Sequence, residues 1–200
     1  MIRSVLFLKY LPERSLGIIL IFHAVIAFFS LMQIGLLNGG LRVFSVDKYK
    51  NIQNDTNNNN STIILLGTIT VIFVSIIFNN YFNANLFIVV FSIITAGFAL
   101  MNNWYKNILI AKKKLKLINK INLISTLLSI LLSLLIFKFD YIGAIISIFS
   151  MHFIFVALFL FYEKDFRPKK IYINLKIIKT LLSFGFVPYL TGIAIIINNQ

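Results

Sequence analysis

The sequence predicts an all-α fold, a polytopic membrane helix bundle with about six transmembrane helices. Its composition is 59% hydrophobic and only 12% charged, with a mean hydropathy of +0.90. A water-soluble domain of this length could not cover so much apolar surface, whereas lipid accepts it. The apolar residues form runs of about 20, the length that crosses a bilayer as a helix. Most of the Lys and Arg residues lie between these runs.

Six runs are long enough to span a membrane, and none carries Asp, Glu, Lys or Arg in its interior. One such charge at a helix centre would cost about 2.5–3.5 kcal/mol on insertion. Lipid offers no hydrogen-bond partners, so each span must satisfy its own backbone, which favours helices. The predicted spans are roughly Gly17–Leu37, Ile63–Phe82, Leu86–Tyr105, Ile118–Phe137, Ile142–Tyr162 and Leu181–Asn198.

The connections between the spans alternate in charge. Arg42–Thr62 carries 3 Lys and Arg residues, and Lys106–Lys120 and Glu163–Thr180 carry 6 each. Of the intervening connections, Asn79–Asn85 carries none and Lys138–Tyr141 carries one. Cytoplasmic loops are enriched in Lys and Arg, so we expect the three basic connections to be cytoplasmic and both chain ends to lie outside.

The net charge of +13 is therefore interpreted as a topology determinant. In a soluble domain it would suggest nucleic acid, but here the predicted partner is the lipid bilayer and no nucleic acid is expected. The expected location is a membrane, with the basic loops cytoplasmic.

Four segments follow from this topology. Residues 1–16 are an N-terminal remnant or interfacial segment, and 17–162 hold five transmembrane helices of an N-terminal lobe. Residues 163–180 are a basic cytoplasmic connection, and 181–200 are the first helix of a truncated second lobe. An external N-terminus without a leader leads us to expect a missing upstream helix and hence a partial chain. The Asn-rich stretch Lys48–Thr62 is expected to be a flexible loop.

Four residues are candidates for substrate binding. Arg42 follows Gly39 and Gly40, small residues that let a neighbouring helix approach, and could bind an anionic head group; the alternative is a membrane anchor. His23 and His152 lie within spans, where an ionisable residue is a functional candidate, although a neutral hydrogen-bonded histidine is common. Lys106 opens a basic stretch that we expect to continue as a helix out of the membrane, near anionic head groups; the alternative is a phosphate-binding entry patch.

Gly185 and Pro188 are candidates for a hinge at the start of the last span, with a static kink as the alternative. Gln33, Asn102 and Asn103 could line a polar cavity, but we expect them to form interhelical hydrogen bonds. With no Cys, two His and six acidic residues, the sequence predicts no catalytic or metal cluster and no cofactor.

Four stretches resemble parts of polysaccharide-export flippases. Leu11–Gly17 is similar to the loop after their first helix, and Gln33–Arg42 to the end of their second helix. Tyr105–Lys112 is similar to the basic stretch that links helices four and five, and Leu181–Pro188 to the opening of helix seven. Their order and spacing extend across nearly the whole chain. The chain thus resembles Wzx-type lipid-linked oligosaccharide flippases of the multidrug/oligosaccharidyl-lipid/polysaccharide (MOP) exporter superfamily.

This resemblance implies a chain that supplies helices two to seven of twelve. It implies a transporter, not an enzyme, in a bacterial inner (plasma) membrane. This transporter would move an undecaprenyl-diphosphate-linked glycan for O-antigen or capsule synthesis across that membrane. Polysaccharide polymerase or chain-length machinery would be possible partners. The alternatives are a drug or lipid-precursor exporter of the same superfamily, a non-functional truncated product, or a polysaccharide polymerase.

The orientation is tested by fusing a topology reporter at four positions. We expect fusions at Asn57 and Lys114 to report the cytoplasm and fusions at Asn83 and Asp140 to report the opposite side. The reverse pattern would overturn the predicted orientation.

Overall fold

A computed structural model describes residues 2–31, 33, 35–82 and 85–198, and within these ranges the chain forms helices and no strand. The all-α fold class is confirmed. Two short 3₁₀ helices, Asp47–Ile52 and Lys164–Phe166, complete the regular structure of the described residues. The α-helices of this part of the chain are α1 (Ile2–Tyr10), α2 (Glu13–Leu31), α3 (Leu36–Ser45), α4 (Gln53–Phe82), α5 (Leu86–Ala111), α6 (Leu115–Ser133), α7 (Ile136–Phe139), α8 (Tyr141–Tyr162) and α9 (Leu175–Asn198).

Four helical stretches within the described residues are long and apolar enough to cross a membrane: α4, α5, α6 with α7, and α8. The chain is therefore a membrane helix bundle. The predicted span Leu181–Asn198 lies within α9, whose side chains from Gly192 onward lie outside the described residues. The predicted turn Asn79–Asn85 includes positions 83 and 84, which are also outside them.

The prediction of one continuous span over Gly17–Leu37 is wrong. Helix α2 ends at Leu31, and Gly35 adopts a left-handed backbone with φ 84° before α3 begins. Glycine takes this conformation without steric cost. Hydropathy is continuous across the break, so the apolar pattern contained no sign of the turn.

The turn allows α3 to lie tightly against α9, backbone to backbone. A side chain on Gly39 would collide with the carbonyl of Leu181, and one on Gly185 would collide with Gly35 and Gly39. Gly40 lies against the Trp104 ring, where a side chain would find no space. These glycines act as the small residues that permit close helix approach in membranes.

Helix α5 is the centre of the bundle and packs against α2, α3, α4 and α8. Trp104 and Tyr105 are fully buried, and the Tyr105 ring stacks on Phe159 of α8 with the centroids 4.0 Å apart. A second apolar cluster forms where α1 meets the bundle, with Phe7 and Leu11 packed among residues of α2 and α8. Residues 2–16 are thus largely helical and packed on the bundle.

The expectation of a flexible loop over Lys48–Thr62 is wrong. Residues from Gln53 onward are the first turns of α4, and Asn57, Asn58, Asn59 and Asn60 are buried. The side chains of Asn57, Asn58 and Asn59 hydrogen-bond to a partner segment that is distant in the sequence, which low-complexity composition could not reveal.

That partner is the extended segment that follows the second 3₁₀ helix. Asn57 Nδ2 donates to the carbonyl of Phe166 at 2.7 Å, and the backbone N–H of Lys169 donates to Asn58 Oδ1 at 2.9 Å. The N–H of Asn174 donates to Asn59 Oδ1 at 2.7 Å. The Asn side chains thereby satisfy backbone groups that have no helix or sheet partner.

The three basic connections meet at one end of the bundle, which we call the basic end. Lys114 pairs with Glu163 at 2.6 Å, and Lys170 pairs with Asp55 at 3.2 Å. The predicted continuous helix through Lys106–Lys120 is wrong, because α5 stops at Ala111 and α6 starts at Leu115 after a turn. Within that turn Lys113 has a left-handed backbone with φ 57°.

Two glycine substitutions should affect the free energy of unfolding differently. Gly39→Ala places a methyl group against the Leu181 backbone and should cost about 1–3 kcal/mol. Gly17→Ala adds a methyl group in open space within α2 and should be neutral or stabilise by about 0.5–1 kcal/mol. Thermal unfolding in detergent measures both. Equal midpoints for the two variants would contradict the close packing of α3 on α9.

Removing Asn57 should also destabilise the protein. Asn57→Ala leaves the Phe166 carbonyl and the Trp104 indole N–H, 2.8 Å from Asn57 Oδ1, without partners. Each unsatisfied buried group costs about 1–3 kcal/mol. Asn54→Ala, at an exposed position on the same helix, is the matched control and should leave the unfolding midpoint unchanged. Similar midpoints for both variants would show that the Asn57 hydrogen bonds do not stabilise the basic end.

Candidate functional site

A group of basic side chains lies within the bundle, at the junction of α1, α2, α5, α6 and α8. Arg3 of α1 reaches into it: its Nη1 donates to Ser129 Oγ of α6 at 3.1 Å and lies 3.9 Å from Met151 Sδ of α8. Met151 is half-way along α8, so the Arg3 guanidinium lies near the middle depth of that apolar helix. A cation at this depth is costly unless it has a function or a partner.

His152 follows Met151 and faces α5. Its Nδ1 is 3.1 Å from the amide nitrogen of Asn102, so the two helices are joined by a polar contact. Asn102 is 1% exposed, and its Oδ1 has no hydrogen-bond partner among the described residues. The interhelical hydrogen bond expected for Asn102 is present.

Lys106 is one turn beyond Asn102 on the same face of α5. Its ammonium is 5.1 Å from the centre of the Phe155 ring, and Phe155 is one turn beyond His152 on α8. Phe155 is fully buried and Lys106 is half-buried. The aromatic face stabilises the ammonium but leaves its charge uncompensated.

These residues form one group. Arg3 contacts Met151, which His152 follows on α8, and His152 is bonded to Asn102, one turn from Lys106 on α5. His23 is an exposed residue of α2 within electrostatic range of Arg3 and His152. We call Arg3, His23, Lys106 and His152 the basic cluster. The structure thus brings together three of the four substrate-binding residues predicted from the sequence. Arg3 was missed because it precedes the first predicted span, and only the packing of α1 on α6 carries it into the bundle.

No carboxylate faces the basic cluster within the described residues. The chain has six acidic residues, and each lies at a helix end or in a connection. The two ion pairs of the described residues, Lys114–Glu163 and Lys170–Asp55, are both at the basic end. Asp140, at the opposite end, accepts a hydrogen bond from Ser15 at 2.7 Å. Within the described residues, the basic cluster is therefore a group of basic side chains without a carboxylate partner.

Arg42 lies apart from the basic cluster. It is exposed on α3, and its guanidinium is 4.8 Å from the centre of the Phe184 ring of α9. None of its described contacts is with the cluster. The structure therefore places Arg42 at the junction of α3 and α9.

The two hinge candidates lie on α9, which is helical through Pro188. Gly185 is in tight contact with Gly35 and Gly39, so its immediate role is close packing. One turn further along, Tyr189 donates from its hydroxyl to the carbonyl of Leu31 at 2.6 Å. A hinge at Gly185 and Pro188 stays a prediction.

Within the described residues no group of three or more His, Cys, Asp or Glu side chains could hold a metal ion. Comparison of the chain with protein-family models, with curated proteins and with solved structures gives no match.

Proposed function

We propose that this chain is part of an inner-membrane flippase that translocates undecaprenyl-diphosphate-linked oligosaccharide repeat units for surface polysaccharide synthesis. The observation that carries the proposal is the basic cluster: Arg3, Lys106 and His152 lie partly buried in an apolar bundle, His23 is exposed on α2, and no carboxylate of the described residues pairs with them. An uncompensated charge in lipid is costly, so an anionic ligand would stabilise it.

A diphosphate fits the chemistry of the cluster. The Arg3 guanidinium can donate two parallel hydrogen bonds to phosphate oxygens, and Lys106 provides a second cation on α5. His23, His152 and the Asn102 amide can donate hydrogen bonds to the phosphates or to sugar hydroxyls. Binding of this kind requires no bond to be made or broken, which supports a transporter and not an enzyme.

The positions of the other basic residues suggest a path. If the basic end is cytoplasmic, as the positive-inside rule predicts, a diphosphate head group meets Arg42 and Lys106 before it reaches Arg3. Movement of the α3–α9 unit against the rest of the bundle, with Pro188 as the bending point, would then expose the cluster to the other side. The released repeat unit would pass to the polymerase and chain-length machinery.

The binding step is tested with the chain in lipid nanodiscs. Undecaprenyl diphosphate should bind, and uncharged undecaprenol should not compete with it. Arg3→Gln and Lys106→Gln should each raise the Kd by roughly tenfold to a hundredfold, because a hydrogen bond to a charged group contributes about 1.5–3 kcal/mol. Microscale thermophoresis or native mass spectrometry measures the Kd.

Lys138→Gln is the matched control, because it removes an exposed cation from the turn at the opposite end. This variant should keep the Kd of the parent chain. If all three variants bind equally well, or if undecaprenol binds as tightly as the diphosphate, the proposed function of the cluster is wrong.

A further inference from the structure

A second candidate site lies on the other face of α5, where α5 meets α4. A cavity of about 330 Å³ opens at the basic end, beneath the extended segment that includes Pro168, Lys169, Lys170 and Ile171. Its inner walls come from the first half of α4 and from Met101 of α5. The cavity therefore has a basic rim and an apolar floor.

A second cavity of about 300 Å³ continues from the first into the apolar part of the bundle. The two share Ser61, Leu65 and Met101, so they form one trench. Its remaining walls are almost entirely apolar and include Ile69 and Phe98. Leu65 and Ile69 are 52% and 53% exposed, which shows that the trench is open to the lipid side.

A pair of buried hydroxyl groups marks the junction of the two cavities. Ser61 is 5% exposed and lines both cavities. Its hydroxyl lies beside that of Tyr105, and neither hydroxyl has another hydrogen-bond partner among the described residues. Thr62, by contrast, donates to Asn58 and accepts from the N–H of Tyr172. When Tyr105 donates to Ser61, the Ser61 hydroxyl keeps its own proton for a ligand in the trench.

The charges of the rim favour an anion. Lys170 is 3.2 Å from Asp55 and 4.5 Å from the Tyr172 ring centre, so its charge is partly engaged. The Lys169 ammonium makes no ion pair within the described residues, while its backbone N–H is held by Asn58. The backbone of Lys169 is thereby fixed at the rim of the cavity that Ser61 also lines, and Lys169 is exposed there.

The depth of the trench matches that of a membrane lipid. Ser61 immediately precedes the apolar run that starts at Ile63, so the polar junction lies at the boundary of the predicted hydrocarbon region. From Leu65 to Ile72 the trench follows α4 for about 10 Å. Ile171 beside the rim is 78% exposed and can enter the lipid interface.

We infer that this trench binds an anionic phospholipid of the bilayer. The phosphate accepts hydrogen bonds from Ser61 Oγ and the Lys169 ammonium, and one acyl chain lies along Leu65, Ile69 and Phe98. The site is separate from the basic cluster and does not depend on the proposed function. A lipid bound there would anchor the basic end, and its occupancy would rise with the fraction of anionic lipid in the surrounding leaflet.

The experiment places a tryptophan in the trench and asks which lipids quench it. Ile69→Trp is reconstituted into phosphatidylcholine vesicles that contain either brominated phosphatidylglycerol or brominated phosphatidylcholine. Ile77→Trp, further along α4 and outside the trench, is the matched control for general lipid contact. The native Trp104 is fully buried. Its emission is measured in the parent protein and subtracted from the emission of each variant.

Ile69→Trp should be quenched preferentially by the brominated anionic lipid, and Ile77→Trp equally by both lipids. Adding Lys169→Glu should reduce the preference at Ile69→Trp by about fivefold or more, since one basic residue near an anionic surface contributes about that factor. Ser61→Ala should reduce it further. Lys179→Glu, an equal charge change on α9 outside the trench, should leave it unchanged.

Equal quenching of Ile69→Trp by the two brominated lipids would overturn the inference. So would a preference that survives both Lys169→Glu and Ser61→Ala, or one that Lys179→Glu removes to the same extent. Undecaprenyl diphosphate is added in a further arm. If it displaces the brominated lipid from Ile69→Trp at stoichiometric amounts, the trench binds the proposed transport substrate and the phospholipid assignment is wrong.

Discussion

The contact of Asn57 with Trp104 and Phe166 is the interaction on which the basic end of the molecule depends. One amide accepts from the indole of α5 and donates to the carbonyl that begins the extended segment. The neighbouring Asn58 and Asn59 fix the rest of that segment through its backbone. Without these bonds the segment would carry unsatisfied backbone groups, α9 would not start in its observed place, and the rim of the lipid trench would not exist.

Charge is divided between two kinds of environment in this molecule. At the basic end Lys114 pairs with Glu163 and Lys170 pairs with Asp55, and solvent or lipid head groups can reach both pairs. Inside the bundle, among the described residues, Arg3 contacts the Ser129 hydroxyl and the Met151 thioether, and Lys106 lies over the face of the Phe155 ring. The first group orients and stabilises the fold, whereas the second remains electrostatically incomplete and carries the proposal of anion binding.

The sequence predicted well those helix boundaries that depend on the composition of the segment itself. The start of α5 at Leu86 and the end of α8 at Tyr162 follow from the limits of apolar runs. Where a distant partner decides the structure, the same reasoning was wrong. Hydrophobicity could not show that the chain turns at Gly35, because the turn depends on the packing of α3 against α9, which is distant in the sequence. Nor could composition show that an Asn-rich stretch is a buried helix.

By itself the sequence determined the all-α membrane fold and the division of basic from apolar segments, because lipid solvation acts on each segment through its own composition. It also singled out His23, Lys106 and His152 as unusual residues for their positions. Only the tertiary structure decided that Lys106 and His152 lie on facing helices near Arg3, with His23 on α2 within electrostatic range, and that Arg42 does not join them. The reason is that an electrostatic cluster is made by helices that are far apart in the chain, and their mutual packing depends on side-chain shape at glycine contacts and buried rings.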